Sequence, residues 1–209
     1  MKLLALSDLH ADEELLDRLR MLSASKKYDA ALFCGDLTTN GPVSYAEEAL
    51  SLFMRSFAVF GNMDPPEVAG RIQQMGKSVH GRSVKLDEWK LAGVGGSNPT
   101  PFGTPSEFSE GQIAAFLSAA GVDRNTILMS HPPPYGVFDL AGDVHVGSKS
   151  VRECIEKNHP LMVLCGHIHE HVGQEVLGET LVVKLPPAEK LLAAEITIGK
   201  EIEVEFIAL

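Results

Sequence analysis

The sequence contains an apolar run that ends in alternating histidines, LMVLCGHIHEH, at residues 161–171. A short apolar run bounded by glycine is typical of a strand that is covered on both faces, as in a parallel or mixed sheet. His167 and His169 follow where this strand leaves the sheet, and side chains at i and i+2 of an extended backbone point to the same side. The two imidazoles could converge on one ligand, although an isolated pair of this kind also fits polar loop residues.

The first part of the chain alternates predicted strands with predicted helices. The runs KLLALS, YDAALFCG and FAVFG are predicted strands at residues 2–7, 28–35 and 57–61. The segments that begin at Asp12 and near Pro42 have helical periodicity. This rhythm is typical of a largely parallel sheet with helices packed on its faces.

The sequence pattern in the rest of the chain predicts further helices and some antiparallel strands. Asp64 and Glu67 have the spacing of a capping box, which predicts a helix that starts after Asp64. Residues 78–96 have the pattern of antiparallel strands, and two hairpins are predicted to turn near Gly178 and Gly199. No internal repeat or linker divides the sequence, so we predict one α/β domain over residues 1–209.

The composition limits the class of protein. The chain has 209 residues, 44% of them hydrophobic, and a formal net charge of -10 from 28 acidic and 18 basic residues. An acidic protein without a basic stripe does not attract long nucleic acid. The three cysteines form no CxxC pair, the apolar stretch at the N-terminus is too short for a signal peptide, and no run approaches a membrane span. These features predict a cytoplasmic protein with no membrane partner.

Asp, Asn or His side chains lie at or just beyond the carboxyl ends of five predicted strands. The strands run into the sequences SDLH, CGDL, FGNMD, MSHPPP and CGHIH. In open α/β sheets, ligands bind at this edge. Each motif alone also fits a turn, a cap or a rigid loop, but their joint order at successive strand ends predicts one site. The candidate metal ligands are Asp8, His10, Asp36, Asn62, His131, His167 and His169.

This set of side chains predicts a site for two divalent metal ions. Carboxylate, amide and imidazole ligands suit first-row ions such as Mn, Fe, Ni or Zn. Seven ligands are too many for one tetrahedral ion but suffice for two ions if one carboxylate bridges, and Asp36 is the lone ligand on its loop. Two ions about 3.5–4 Å apart can hold the attacking and leaving oxygens of a phosphoryl transfer and lower the pKa of a bound water. The sequence therefore predicts phosphoester chemistry.

The ordered motifs resemble those of the calcineurin-like metallophosphoesterases. The resemblance rests on DLH, GD, GN, SHPPP and GHIH, at residues 8–10, 35–36, 61–62, 130–134 and 166–169. The segments GVGGSNPTPFGTP and HVGSKSVRE are similar to a branch of predicted archaeal and bacterial phosphoesterases that is related to cyclic-nucleotide phosphodiesterases. The resemblance implies a four-layer α/β/β/α sandwich with two mixed sheets and a metal site at the carboxyl ends of the strands.

The resemblance also implies how the ligands divide between the two ions. It assigns Asp8, His10, Asp36 and His169 to one ion, and Asp36, Asn62, His131 and His167 to the other. A hydroxide that bridges the ions would attack the phosphorus atom in line. The expected substrate is a small phosphodiester or an activated phosphomonoester.

One position departs from the family pattern. Many members have histidine directly after the GN motif, where this chain has Met63. A thioether cannot donate a proton to a leaving group, so another donor or a good leaving group is needed. His145 is the predicted substitute, although a loop or cap histidine outside the site fits it as well. Ser97 and Asn98, with Asn62, are predicted substrate contacts, and a purely structural proline-rich loop is the alternative for the first two.

Three further histidines lie outside this set. His171 continues the alternation of the histidine motif, which fits a group behind the ligands or at the rim of the site, although a histidine outside the site fits it better. His80 and His159 have no supporting context and are predicted at the surface.

We predict that the chain is a dinuclear metal enzyme that hydrolyses a small phosphate ester. The alternative is a metal-binding scaffold or ligand sensor with little turnover, which Met63 favours and the complete ligand set opposes. A nuclease is disfavoured by the net charge of -10. The sequence leaves the oligomeric state open.

Overall fold

The computed structural model covers residues 1–209 and contains five α-helices, one short 3-10 helix and thirteen β-strands. The α-helices are α1 (Glu13–Ser25), α2 (Val43–Ser51), α3 (Pro66–Gln74), α4 (Glu110–Ala120) and α5 (Lys149–Asn158), and the 3-10 helix is Ala188–Lys190. The strands are β1 (Lys2–Leu6), β2 (Ala30–Cys34), β3 (Ser56–Val59), β4 (Ser83–Leu86), β5 (Trp89–Val94), β6 (Thr126–Ser130), β7 (Leu140–Ala141), β8 (Val144–His145), β9 (Met162–Cys165), β10 (Gly173–Leu177), β11 (Thr180–Lys184), β12 (Leu192–Ile198) and β13 (Ile202–Ala208). None of the helices has the length and apolar composition that crossing a membrane requires.

The strands form two large mixed sheets and one small hairpin. The five-stranded first sheet has the order β13-β12-β1-β2-β3, in which β1, β2 and β3 are parallel and β12 is antiparallel to both of its neighbours. The six-stranded second sheet has the order β10-β11-β9-β6-β5-β4, with four parallel strands between two antiparallel edge strands. Strands β7 and β8 pair only with each other. The predicted antiparallel pairing of β4 with β5 and both C-terminal hairpins are confirmed.

Helices cover the outer face of each large sheet, and the inner faces pack against each other. Alternate residues of a strand face opposite sides, so Leu4 of β1 belongs to the core cluster that contains residues of α1, α2 and α3, whereas Leu3 belongs to the cluster that contains second-sheet residues such as Leu91. The outer face of the second sheet packs against α4 and α5 through residues such as Leu128 and Ile155. Because both faces of the central strands are buried, the sequences of these strands are continuous apolar runs. The predicted four-layer α/β/β/α sandwich is confirmed.

Side-chain caps mark where three of the helices begin, and at the start of α5 the Ser148 hydroxyl accepts a hydrogen bond from the Val151 amide at 3.2 Å. The Asp12 carboxylate accepts a hydrogen bond from the Leu15 amide at 2.8 Å at the start of α1. Helix α4 begins with a capping box between Ser109 and Gln112. Such caps satisfy amide groups of the first turn that have no partner within the helix.

The capping box predicted at Asp64 is wrong, because α3 begins at Pro66 without any side-chain cap. Asp64 is fully buried, and its carboxylate accepts hydrogen bonds from the amides of Leu37, Thr38 and Gly61 at 3.1, 2.8 and 2.9 Å. Burial raises the pKa of this carboxyl to about 6. The side chain joins the loops after β2 and β3, where buried amides require an acceptor.

The loops that follow β1, β2, β3, β6 and β9 meet at one edge of the sandwich. The Asp8 amide donates to the Gly35 carbonyl at 2.9 Å, which joins the loops after β1 and β2. The Gly166 amide donates to the His131 carbonyl at 3.0 Å, which joins the loops after β9 and β6. The parallel strands of each sheet end on the same side, and this topology brings the polar motifs of the sequence together.

Candidate metal centre

The edge of the sandwich gathers two groups of side chains that could each hold a metal ion. The groups are Asp8, His10 and His169, and Asp36, His131 and His167, and within each group the ligand atoms lie within 4.8 Å of one another. Asn62 adjoins the second group, with its Oδ1 2.9 Å from Nε2 of His131. The structure therefore brings together all seven candidate ligands.

Asp36 lies between the two groups. Its Oδ2 is 3.4 Å from Nε2 of His131 and 3.8 Å from Nε2 of His10. Its Oδ1 accepts a hydrogen bond from the Met63 amide at 2.8 Å, which orients the carboxylate. This position suits a carboxylate that is shared by two ions.

Four of the candidate ligands have a left-handed backbone, which residues other than glycine rarely adopt. The φ angles are 56° at Asp8, 49° at His10, 47° at Asp36 and 75° at His167. Such conformations cost about 1–3 kcal/mol each and cluster at functional sites. Loop contacts hold them in place, among them the hydrogen bond from the His10 amide to the Asp36 carbonyl at 2.9 Å. The chain thus turns sharply where each of these side chains enters the site.

Glycines next to the ligands leave the space that the ligands occupy. A Cβ atom on Gly61 would fall on Oδ1 of Asp36, and one on Gly166 would fall on the side chains of Ser7 and Asp8. Only glycine fits at these two positions. This requirement explains the GN and GH motifs that follow β3 and β9.

The pattern of donors and acceptors fits metal ions. Nδ1 of His131 lies 2.9 Å from the Cys34 carbonyl, so this nitrogen keeps the proton when the imidazole is neutral, and Nε2, which is 2.9 Å from Oδ1 of Asn62, is then available to a metal ion. In the first group, Nε2 of His10 and Nε2 of His169 are 3.4 Å apart. Facing lone pairs repel unless a proton or a cation lies between them. Mixed carboxylate, amide and imidazole atoms are suitable ligands for first-row divalent ions.

Two threonines orient candidate ligands. Oγ1 of Thr39 is 2.9 Å from Nδ1 of His10, which leaves Nε2 of the ring directed into the site. The side-chain amide of Asn62 donates to Oγ1 of Thr104 at 3.1 Å, which directs the Asn62 Oδ1 toward His131. Such contacts behind the ligands fix tautomers and ligand directions. Neither threonine could be predicted from the sequence, because no local pattern marks a residue that acts through a distant partner.

Burial and neighbouring charges set the protonation of the site. Burial alone would raise the pKa of Asp8, but the hydrogen bond with His169 and the charge of His131 hold it well below its usual range. Burial favours neutral His131, yet the charge of Asp36 raises its pKa to about 9. Burial and the charge of His131 lower the pKa of His167 to about 3. Asp8 and His167 are thus in the protonation states that bind metal, whereas His131 must release a proton on binding.

A cavity of about 1130 Å³ lies over the two groups of ligands. Met63 and Asn98 line it, as do residues 99–105. Ser97 is fully buried and is not part of the lining, and its hydroxyl donates to the Asn98 carbonyl at 2.8 Å. The structure brings Asn98, but not Ser97, to the surface of the cavity.

His145 lies on the small hairpin of β7 and β8 and is not part of the cavity lining. Its Nδ1 is 2.6 Å from Oδ1 of buried Asp139, and its ring centroid is 5.3 Å from that of Tyr135. Its neighbours Ala141 and Val146 line the cavity instead. The structure therefore does not bring His145 together with the candidate ligands.

The other histidines have different surroundings. Nε2 of His171 is 3.2 Å from the Leu140 carbonyl, next to the cavity-lining part of the small hairpin. His159 ends α5 in a left-handed conformation. His80, which the sequence places at the surface, is only partly exposed, because Phe116 of α4 packs against it with a distance of 4.3 Å between the two ring centroids.

The positions of three charged residues near the site could not be predicted from the sequence. Glu170 and Glu189 line the cavity. Lys184 at the end of β11 is fully buried, and its Nζ has no hydrogen-bond partner. Burial lowers the pKa of this amine. Only the pairing of β11 with β9 places Lys184 beside Cys165, at the strand end that leads into His167.

Sequence comparison identifies the family of the chain. A family model described as calcineurin-like phosphoesterase matches residues 1–171. MJ1162, an uncharacterized protein of Methanocaldococcus jannaschii, is 33% identical over 201 residues, which cover 90% of this chain and 88% of that protein. The matched residues include every candidate ligand.

Solved structures share the fold. TT1561 of Thermus thermophilus has a TM-score of 0.75 and 20% identity, and the alignment covers 98% of this chain and 97% of that chain. An archaeal phosphodiesterase has a TM-score of 0.61 and 13% identity, with coverage of 99% and 100%. The sequence match, the shared fold and the gathered motifs agree, and the chain belongs to the calcineurin-like phosphoesterase family.

Proposed function

We propose that the protein is a metal-dependent hydrolase that acts on a small phosphodiester and uses two divalent ions. The observation that carries this proposal is the position of Asp36 between two groups of ligand atoms, below a cavity. Two neighbouring ions that share a carboxylate can act together on one phosphoryl group. An activated phosphomonoester is the second substrate class that such a site could accept.

The candidate ligands divide between two ions with Asp36 in common. Asp8, His10 and His169 would complete one set, and Asn62, His131 and His167 would complete the other. When bound, Mn, Fe, Ni or Zn ions would lower the pKa of a shared water and neutralise charge on the phosphate. Two divalent ions exceed the charge of two carboxylates, so this site could attract a phosphate in a protein with a net charge of -10.

Asn98 is the residue outside the metal ligands that we assign to substrate binding. Its amide nitrogen donates to the Val146 carbonyl at 3.0 Å, while its Oδ1 is buried without a hydrogen-bond partner. An unpaired acceptor of this kind costs free energy until a donor reaches it. A hydroxyl or amino group of the substrate could supply that donor.

Apart from the candidate metal ligands, the cavity lining contains no histidine that could protonate the leaving group. Met63 follows Asn62 in the lining, and its thioether cannot donate a proton. His145, the predicted substitute, is outside the lining. General acid catalysis contributes about 10²–10⁴-fold, so we expect esters with good leaving groups to be the best substrates.

Two observations favour a diester over a monoester. A protein that shares this fold is named an archaeal phosphodiesterase. The cavity of about 1130 Å³ has room for groups on both sides of a phosphate, since pockets of about 300–1,000 Å³ hold a drug-sized ligand. We further propose that residues 1–209 act as one domain in the cytoplasm, as the composition predicts.

Metal content and hydrolysis, measured together, test the proposal. Metal-stripped protein is assayed with bis-p-nitrophenyl phosphate and with p-nitrophenyl phosphate, in the presence and absence of Mn²⁺. We expect Mn²⁺ to restore turnover at about two ions per chain, with faster hydrolysis of the diester. Binding of two ions without turnover of either ester would instead favour the metal-binding scaffold or ligand sensor.

The variant His169→Ala tests the ligand assignment. It should lose one ion and most of the turnover while the fold is retained, because this imidazole lies at the open side of the site, with 34% of its side chain exposed. His159→Asn is the matched control, since Asn tolerates the left-handed backbone at the end of α5. Unchanged metal content and rate in His169→Ala would refute the assignment.

A further inference from the structure

One wall of the cavity is formed by residues 98–105, which we call the 98–105 loop. The loop presents Phe102, which is 84% exposed and is the one aromatic residue among the five exposed large hydrophobic residues of the chain. Pro101 precedes it and also lines the cavity. An exposed aromatic ring in a cavity wall is a stacking surface for a flat group of a ligand.

The 98–105 loop is held in a defined conformation. Oε1 of Glu107 accepts hydrogen bonds from the Thr100 hydroxyl at 2.6 Å, the Thr104 amide at 2.8 Å and the Thr104 hydroxyl at 2.6 Å. The Thr104 hydroxyl in turn accepts from the side-chain amide of Asn62, so the loop is connected to a candidate metal ligand. Because these hydrogen bonds fix the loop, Phe102 stays at one distance from the metal site. A loop that is already ordered lowers the entropy cost of binding a ligand.

The charges of the cavity disfavour a second phosphate. No lysine or arginine is part of the lining, whereas Glu170 and Glu189 are. The buried amine of Lys184 does not reach the cavity surface. The metal site is therefore the only place where this cavity could neutralise a phosphate, and a further phosphate group would face carboxylates instead of a cation.

We infer that the substrate is a phosphodiester whose reacting phosphate is its only charged group and whose retained ester group is flat and uncharged, so that it stacks on Phe102. A nucleoside has this chemistry. The inference rests on the proposed function, because the phosphate must be held at the metal site for the retained group to reach the 98–105 loop. It specifies the part of the substrate that the metal site does not contact.

Two diesters with the same leaving group test the stacking. Bis-p-nitrophenyl phosphate and methyl p-nitrophenyl phosphate carry the same charge and release the same phenolate, but they retain an aromatic and a methyl group. With Mn²⁺-loaded protein, Phe102→Ala should lower kcat/KM about tenfold more for the first ester than for the second, because only the first ester retains an aromatic ring that can stack on Phe102. Met54→Ala is the control, because Met54 is exposed and is not part of the cavity lining.

The outcomes of this test separate the inference from the proposed function. Turnover of both esters with equal effects of Phe102→Ala, or with no effect, would overturn the stacking inference and leave the proposed function standing. No turnover of either ester by the Mn²⁺-loaded protein would overturn the proposed function and the inference with it. Because Phe102 is 84% exposed, its replacement leaves the core packing unchanged.

A second pair of esters tests the charge preference. Thymidine 5′-(p-nitrophenyl phosphate) and its 3′-phosphorylated form differ by one phosphate group and release the same phenolate. We expect the additional phosphate to lower kcat/KM about tenfold or more, and Glu170→Gln with Glu189→Gln to recover part of this loss. Equal kcat/KM for both nucleotides, or no recovery in the double variant, would contradict the inference.

Discussion

At the scale of single residues, Met63 contributes to the site through its backbone and limits it through its side chain. Its amide donates to Oδ1 of Asp36 at 2.8 Å and helps to hold the shared carboxylate. Its side chain lines the cavity and cannot protonate a leaving group. A substitution at this position can therefore change the acid chemistry of the site while the backbone contact is kept.

Met63→His should increase the hydrolysis of diesters with poor leaving groups. Because general acid catalysis contributes about 10²–10⁴-fold, we expect kcat for diphenyl phosphate to rise at least about tenfold. The rate for bis-p-nitrophenyl phosphate should change little, since p-nitrophenolate leaves without a proton. Steady-state kinetics on both esters check this, with Met63→Leu as the control. The same change for both esters would show that the imidazole does not protonate the leaving group.

His80 shows how packing determines the protonation of a residue outside the site. Its ring lies between those of Phe60 and Phe116, with centroid distances of 4.7 and 4.3 Å. Its Nδ1 accepts a hydrogen bond from the Gly95 amide at 2.9 Å. Burial lowers the pKa of His80 from 6.5 to about 4, so the folded protein holds it neutral.

The contribution of His80 to the stability of the protein should decrease as the pH falls from 6.5 toward 4. The unfolded chain binds a proton on His80 more tightly than the folded chain does, so the contribution of neutral His80 is complete above pH 6.5 and is lost below it. The slope is at most about 1.4 kcal/mol per pH unit. Urea unfolding measures the free energy of unfolding at pH 7 and at pH 5. The decrease between these two pH values should be smaller for His80→Phe than for the wild type or for His159→Asn. Equal losses in the three proteins would contradict this expectation.

At the scale of secondary-structure elements, Glu110 connects the start of α4 to the start of α5. Its carboxylate accepts hydrogen bonds from the amides of Lys149 and Ser150 and from the hydroxyl of Ser148, at 2.8–3.0 Å. Burial alone would raise the pKa of Glu110, but the hydrogen bonds from Ser150 and Ser148 lower it. A carboxylate at a helix N-terminus also interacts favourably with the helix dipole.

Glu110→Ala should lower the free energy of unfolding by about 2 kcal/mol, because the first amides of α5 lose a charged acceptor. The difference from the wild type should be complete above the ordinary pKa of 4.5. It should shrink as the pH falls through the lowered pKa of the folded state. Urea unfolding measures it, with Glu153→Ala on the exposed face of α5 as the control. Equal midpoints for the two variants would rule out this role of Glu110.

At the scale of the whole molecule, the candidate metal centre joins the two sheets. Asp8 and Asp36 follow strands of the first sheet, whereas His131, His167 and His169 follow strands of the second sheet. Each candidate group contains side chains from both sheets. Ions bound there would link the sheets at the edge where their loops meet, and metal binding would be coupled to the stability of the entire sandwich.

Mn²⁺ should therefore raise the melting temperature of the metal-stripped protein, and EDTA should reverse the change. A ligand at 100 times its Kd stabilises a protein by about 2.7 kcal/mol per site. Asp36→Asn should lose most of this stabilisation, because both ions would share that carboxylate. Thermal unfolding with a titration of Mn²⁺ checks this, with exposed Glu175→Gln as the control. An equal shift in Asp36→Asn and the control would show that Mn²⁺ acts elsewhere.

The sequence by itself determined the order of strands and helices, the presence of two kinds of strand pairing and the seven candidate ligands. These features are local: apolar runs, helical periodicity and polar motifs lie within a few residues of one another. The rule that ligands gather at the carboxyl ends of parallel strands then placed Asp8, Asp36 and His167 in one site. The structure confirms the fold and brings these side chains together.

Only the tertiary structure decided which residues surround the ligands. Asp64 looks like a helix cap in the sequence, yet it is a buried acceptor between two loops. Thr104 orients Asn62 across 42 positions of the chain, and outside the site His80 is partly buried because Phe116 of α4 packs against it. Such contacts join residues that are distant in sequence, and packing and hydrogen-bond satisfaction in the folded chain select them. No local pattern records those requirements, because they exist only after the two sheets have packed together.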